Sequence, residues 1–201
     1  MSARDHILQR IATAAVPAGP ALPLPVPVAP VADRLAVFAR ELEKLGGELV
    51  LADDAAGAAA RLRELVPDDD ALWYITDRPL VAQVAEHLPA KRGTLAQMAD
   101  CLASLTEAQY IIADTATVGL RLDAGQPRSS YLLPEVCIVV ARREGMLLTL
   151  AEALADLEQR GDLPTGFVFV TGPSRTADIE KTVVIPAHGP KRLIAVFLAG
   201  A

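Results

Sequence analysis

Apolar and polar positions along the chain alternate between two periods, and the switches between them predict a string of strands and helices. Leu35, Phe38, Leu42 and Leu45 recur at helical spacing behind Asp33, a capping residue, and stop at Gly46-Gly47. Glu48 to Leu51 reads as a short strand, Asp53 to Leu65 as an alanine-rich helix, and Ala71 to Ile75 as a buried strand. Asp77 is expected to cap the next helix, with Pro79 tolerated in its first turn. The stretch from Lys91 to Leu105 carries no clear period. Ser104-Leu105-Thr106-Glu107 fits a capping box for one helical turn. Tyr110 to Ala113 is a strand, Asp114 to Ala116 a turn, Thr117 to Leu122 the returning hairpin partner, and Asp123 to Ser130 a loop. Val136 to Ala141 is a continuous apolar strand, and Thr149 caps a helix that carries Leu150, Leu154 and Leu157 to Gly161. Phe167 to Val170 and Leu193 to Leu198 complete the strands.

Runs without alternation suit strands buried on both faces, and strands alternating with helices point to α/β architecture. The expected fold is one α/β domain around a mainly parallel sheet that includes Leu72 to Ile75, Val136 to Val140, Phe167 to Val170 and Leu193 to Leu198. Ahead of it, Ser2 and Asp5 cap a short helix with Ile7, Leu8 and Ile11 on one face. Residues 11 to 32 are uncharged and long enough for a membrane span, but six prolines between 17 and 30 forbid a continuous helix. Residues 1–32 are thus expected to form an N-terminal helix and a Pro-rich arm, extended from Pro17 to Pro30 and packed through Leu22, Leu24, Val26 and Val28 on its own domain or on a second copy in a homodimer. A disordered tail is the alternative.

With 201 residues, 52% hydrophobic content and 22% charge, the chain can bury a full core. A net charge of −6 and 4% aromatic residues leave no basic footprint or stacking platform, so nucleic acid is not an expected partner. Cys101 and Cys137 lie apart in apolar surroundings, too few for an iron-sulfur cluster, and the three histidines show no metal spacing. No intrinsic metal and a cytoplasmic location are therefore expected.

Candidate chemistry concentrates where Phe167-Val168-Phe169-Val170 stops at Thr171-Gly172-Pro173-Ser174-Arg175-Thr176. Backbone N–H groups, the hydroxyls of Ser174 and Thr176, and the guanidinium of Arg175 suit a small carboxylate or phosphate at the carboxyl end of a parallel strand. Asp178 and Glu180 either pin Arg175 or act as acid and base. His188 is a further ligand candidate, although a loop histidine bonded to backbone fits its Gly189-Pro190 context more simply. Ser174, His188 and Asp178 include the residue types of a catalytic triad, without a nucleophile-elbow sequence. An ordinary turn with a structural ion pair is the competing reading.

The run Val170-Thr171-Gly172-Pro173-Ser174-Arg175-Thr176-Ala177-Asp178-Ile179-Glu180, then His188-Gly189-Pro190, resembles the signature of the lactate utilisation protein C (LutC) family, whose members consist of a LUD domain. Asp114-Thr115-Ala116-Thr117 and Leu132-Leu133-Pro134-Glu135-Val136 resemble two further stretches of that family. Where the family usually carries Glu-Thr-Gly-Thr, this chain has a shorter acid, Asp114, and Ala116 in place of the turn glycine. The resemblance implies a LUD domain over residues 33–201, similar to the NagB/RpiA/CoA transferase-like fold. It also implies a subunit or accessory of an iron-sulfur-dependent system that converts L-lactate to pyruvate, and it adds Thr115, Thr117 and Asp114 to the site candidates. No dinucleotide or Walker loop occurs in the sequence. The clusters that receive the electrons are therefore expected in cysteine-rich partner proteins. Two other readings remain open: a stand-alone isomerase or ligase acting on a small phosphorylated or carboxylated metabolite, and a non-catalytic scaffold for the partners.

Overall fold

A computed structural model describes residues 2–14, 32–67, 70–161, 164–174, 176–177, 183–184 and 189–199. The proline segment from 17 to 30 lies outside these residues, as do Arg175, Asp178, Glu180 and His188.

The N-terminal helix α1 (Ala3–Thr13) is capped as its sequence predicts: the Ser2 N–H and hydroxyl both donate to Asp5 Oδ2 at 2.8 Å. Next come α2 (Arg34–Lys44), β1 (Glu48–Ala52), α3 (Ala55–Leu65), β2 (Leu72–Ile75), α4 (Pro79–Ala85) and the two-residue β3 (Lys91–Arg92). A 3-10 helix at Leu95–Asp100 leads into β4 (Ala103–Glu107), followed by the hairpin β5 (Tyr110–Ile112) and β6 (Thr117–Leu122). The remaining elements are a 3-10 turn at Arg128–Tyr131, β7 (Val136–Arg142), α5 (Leu150–Arg160), β8 (Gly166–Thr171), β9 (Thr176–Ala177), β10 (Val183–Val184) and β11 (Arg192–Leu198).

Six strands in the order β1-β11-β7-β4-β2-β3 form one sheet in which every pairing is parallel. On one face Ala103, Leu105, Ile138, Val140, Ile194 and Val196 meet α3 and α4. On the other, Cys137, Val139, Leu193, Ala195 and Phe197 meet α2 and a second, three-stranded sheet. Phe38 of α2 packs on Phe197 with ring centroids 4.9 Å apart. Asp33 and Asp54 cap α2 and α3 by accepting the N–H groups of Ala36 and Gly57 at 2.9 and 2.7 Å.

The second sheet has the order β5-β6-β8 and is antiparallel, which moves Phe167 to Val170 out of the central sheet expected for it. Its unbroken apolar run has a different cause from the one inferred. Val168 and Val170 face the central layer, while Phe167 and Phe169 face Tyr110, Ala153 and Leu157 beneath α5, so both faces are covered by unlike partners. A strand between two layers reads the same in sequence whether its neighbours run parallel or antiparallel.

Three local expectations also change. Ser104 to Glu107 is not a helical turn but belongs to β4, where Ser104 and Thr106 are wholly buried and Thr106 Oγ1 donates to the Ile138 carbonyl. Asp77 does not cap α4; Arg78 precedes Pro79 there without a side-chain cap bond, and Glu107 Oε2 takes the Leu80 N–H at 2.9 Å from across the sheet. In α5 the buried residues are Ala153 and Leu157, whereas Leu150 and Leu154 face outward.

Candidate functional site

Antiparallel pairing of β6 with β8 sets Thr117 opposite Thr171. That register joins two stretches far apart in sequence, the Asp114–Thr117 turn and the Thr171–Ser174 segment. Their hydroxyls form one chain: Thr115 Oγ1 donates to Asp114 Oδ1 at 3.1 Å, Thr115 and Thr117 Oγ1 lie 2.9 Å apart, and Thr117 and Thr171 Oγ1 lie 2.6 Å apart. Thr117 is buried in the middle, and Asp114, Thr115 and Thr171 are exposed at the ends.

Two tight backbone positions hold this chain. Ala116, where the related pattern has glycine, adopts a φ of 48°. A left-handed alanine costs about 1–2 kcal/mol, and burial of its methyl group among Ile111, Val118 and Leu120 offsets part of that. Gly172, with a φ of 75°, passes so close to Leu45 that a Cβ would sit 2.9 Å from the Leu45 Cβ. Glycine is required there on both counts.

Beyond Gly172 the chain turns through Pro173, and the Ser174 N–H donates to the Pro190 carbonyl at 3.1 Å. Pro190 lies just ahead of β11, so the segment that leaves the carboxyl end of β8 abuts the amino end of a central strand. Leu45, Tyr131, Thr171, Ser174, Gly189 and Pro190 contribute to a cleft of about 420 Å³ at this end. Burial raises the Tyr131 phenol above its ordinary value.

The structure thus brings together Asp114, Thr115, Thr117, Gly172 and Ser174. Thr176 lies in β9, which pairs with β10, and its side chain is outside the described set. Arg175, Asp178, Glu180 and His188 fall outside the described residues. Thr171 was missed as a member of the polar chain; its position at the end of an apolar run, next to Gly172, was the available signal.

A second polar centre, also unread in the sequence, lies at the opposite, carboxyl end of the sheet. Gln126 is wholly buried there. Its Nε2 donates to the Glu107 and Arg121 carbonyls at 2.9 and 3.2 Å, and its Oε1 accepts the Glu107 N–H at 2.9 Å and the Thr76 hydroxyl at 3.4 Å. Asp123 secures the loop that carries it, accepting Arg78 Nη2 at 2.7 Å and the N–H groups of Gly125 and Gln126 at 2.9 and 3.2 Å. The hydrogen bond from Arg78 holds the Asp123 carboxyl below its usual value, with the two N–H groups assisting. Glu107 and Arg142 line a cleft of about 330 Å³ at the same end.

Cys101 and Cys137 are both buried and unpaired, and burial pushes the Cys137 thiol up to about 12. Among the described residues no group of three or more His, Cys, Asp or Glu side chains is placed to hold a metal ion. Among them too, no helix is long and apolar enough to cross a membrane.

A family model described as the LUD domain matches residues 35–198. Among curated proteins, a lactate utilization protein C from Bacillus pumilus is 29% identical over 99 residues, covering 47% of this chain and 41% of that protein. One from Shouchella clausii is 33% identical over 98 residues, covering 47% and 42%. These alignments span about two-fifths of the relatives' length. An uncharacterized Escherichia coli protein, YkgG, is 28% identical over 181 residues, covering 83% of this chain and 78% of its own. In the same fold, a crystal structure of a DUF162 family protein from Deinococcus radiodurans matches with a TM-score of 0.61 at 20% identity, covering 85% of this chain and 100% of that one.

Proposed function

Because the chain belongs to the LUD domain family, we propose that it serves as a subunit or accessory of a cytoplasmic lactate utilisation system that converts L-lactate to pyruvate. The oxidation releases two electrons and two protons, and the electrons go to iron-sulfur clusters held by cysteine-rich partner proteins. Similarity to lactate utilization protein C of two bacteria supports the pathway. The two buried, unpaired thiols fit a reducing compartment.

In this reading, the end of β8 holds a small carboxylate or phosphate through the Gly172–Thr176 backbone, Ser174, Arg175 and Thr176, with His188, Asp178 and Glu180 contributed by the adjoining sequence. The observation that carries it is the meeting of the Asp114–Thr117 turn with the Thr171–Ser174 segment beside a cleft. These are two of the stretches that resemble the lactate utilisation protein C pattern. A planar guanidinium grips both oxygens of a carboxylate, whereas lysine offers one point charge, so Arg175→Lys is expected to weaken binding roughly tenfold. Calorimetric titration of wild type and Arg175→Lys with lactate, pyruvate and phosphate checks this. No binding of any of the three to wild type, with or without the partners, would retire the site.

A further inference from the structure

The chain leaves two neighbouring strands of the central sheet toward opposite faces. After β2 it turns into α4, which packs on the face that holds Leu105 and Val140; after β4 it turns into the β5–β6 hairpin on the other face. Divergence of this kind opens a crevice over the carboxyl ends of the strands, where open α/β sheets bind ligands. The cleft of about 330 Å³ lies there, with Leu80 and Gln83 of α4 on one side and Gln109 and Ile111 on the other. A second cleft, of about 320 Å³, shares Gln83 and Arg142 with it and continues along the sheet to Leu198 at the end of β11.

Glu107 and Arg142 end the adjacent strands β4 and β7. Register pairs Glu107 with Val140, so Arg142 is its diagonal neighbour, and both side chains continue the series Ala103–Leu105 and Ile138–Val140 toward α4. Glu107 is fixed on three sides: Gln126 holds its N–H and its carbonyl, and the Leu80 N–H holds Oε2. Glu107 Oε1 and the Arg142 guanidinium have no hydrogen-bond partner among the described residues. The network around Gln126 is itself saturated; what it delivers is a carboxylate oxygen held still at the cleft.

We propose that this crevice binds a small 2-amino carboxylate as its zwitterion, with the ammonium on Glu107 Oε1 and the carboxylate on the Arg142 guanidinium. The planar fork of an arginine suits the two oxygens of a carboxylate. The surrounding charge selects the rest of the ligand. The carboxylates of Asp53, Asp54, Glu86, Glu107 and Glu144 line the two clefts against the guanidinium of Arg142, His87 aside. A ligand of net negative charge is repelled there, whereas a zwitterion brings a cation for the acids and an anion for the arginine. The site lies at the opposite end of the sheet from Thr171 and does not rest on the reading of the β8 end.

The test is calorimetric titration of the full chain with glycine, L-alanine and L-serine, and with L-lactate, which matches L-alanine in shape but carries a hydroxyl for the ammonium. At least one of the amino acids should bind in the millimolar range or tighter. Glu107→Gln keeps an acceptor for the Leu80 N–H but sets an amide donor against the ammonium, and Arg142→Gln removes the fork. Each should weaken amino-acid binding about tenfold or more. Arg142 is exposed, so a urea midpoint close to wild type for Arg142→Gln separates lost contacts from lost folding. Lactate binding, which belongs to the β8 end, should be the same in both variants as in wild type. No binding of any of the three amino acids, or amino-acid binding that both substitutions leave unchanged, would overturn the inference. Lactate binding lost in step with amino-acid binding would overturn the choice of a zwitterion.

Discussion

Two polar networks flank the central sheet, and they end differently. At the carboxyl end, Gln126 uses both amide protons and both lone-pair directions inside the protein, and Asp123 takes three donors from Arg78, Gly125 and Gln126. At the amino end, the hydroxyl chain begins on an exposed carboxylate and stops at Thr171, with no further protein partner for that hydroxyl among the described residues. A closed network stabilises the fold and leaves nothing for a ligand. A network whose ends are exposed keeps bonding capacity to spare, and its members matter little to stability because their outer ends already face water.

The contrast predicts opposite outcomes for mutation. Gln126→Ala strips side-chain partners from both backbone groups of Glu107, and each buried group left unpaired costs about 1–3 kcal/mol. A loss of roughly 3 kcal/mol in urea-unfolding free energy is expected, the largest effect at either end. Thr171→Val at the open end should change stability by less than about 1 kcal/mol. Equal effects at the two positions would dissolve the distinction.

A smaller effect should appear with pH. The Asp123 carboxyl titrates below its ordinary value in the folded chain, so its contribution is present above the unfolded-state value, near 3.8, and is lost as pH falls through the lower folded value. Asp123 is about one-third exposed, which limits the size of the effect. Wild type should therefore lose its stability advantage over Asp123→Asn as pH is taken below about 4. Unfolding curves that stay equally separated from neutral to acid pH would remove Asp123 from the closed network.

Much of the larger architecture was legible because burial left a periodic record. The Asp33 cap, the strands expected over Leu72–Ile75 and Val136–Ala141, the β5–β6 hairpin and the Gly161 helix end all stand where their patterns predict, the second strand running one residue further. What escaped is what pattern does not encode. Phe167 to Val170 is apolar on both faces in either sheet, so its sequence carries no sign of strand direction. Ser104 to Glu107 has the letters of a capping box, yet Ala103 and Leu105 alternate with buried hydroxyls in the middle of a sheet, and tertiary packing overrides the local preference. Gln126 sits in an unremarkable loop, and its partners come from residues up to 50 positions away. Within the candidate site, the resemblance pointed to Thr115 and Thr117 but not to Thr171. Thr171 joins them through the β6–β8 register, and its place at the end of an apolar run marks a strand end without naming the partner strand.

The most direct test of the functional account is lactate-dependent reduction of an electron-accepting dye by the purified chain, measured alone and after addition of whichever cysteine-rich proteins are found to co-purify with it. The account predicts no reduction by the chain alone and lactate-dependent reduction once the iron-sulfur partners are present, diminished by Arg175→Lys. Steady lactate-dependent reduction by the isolated chain, or a reconstituted assembly whose rate is the same with and without this chain, would contradict it.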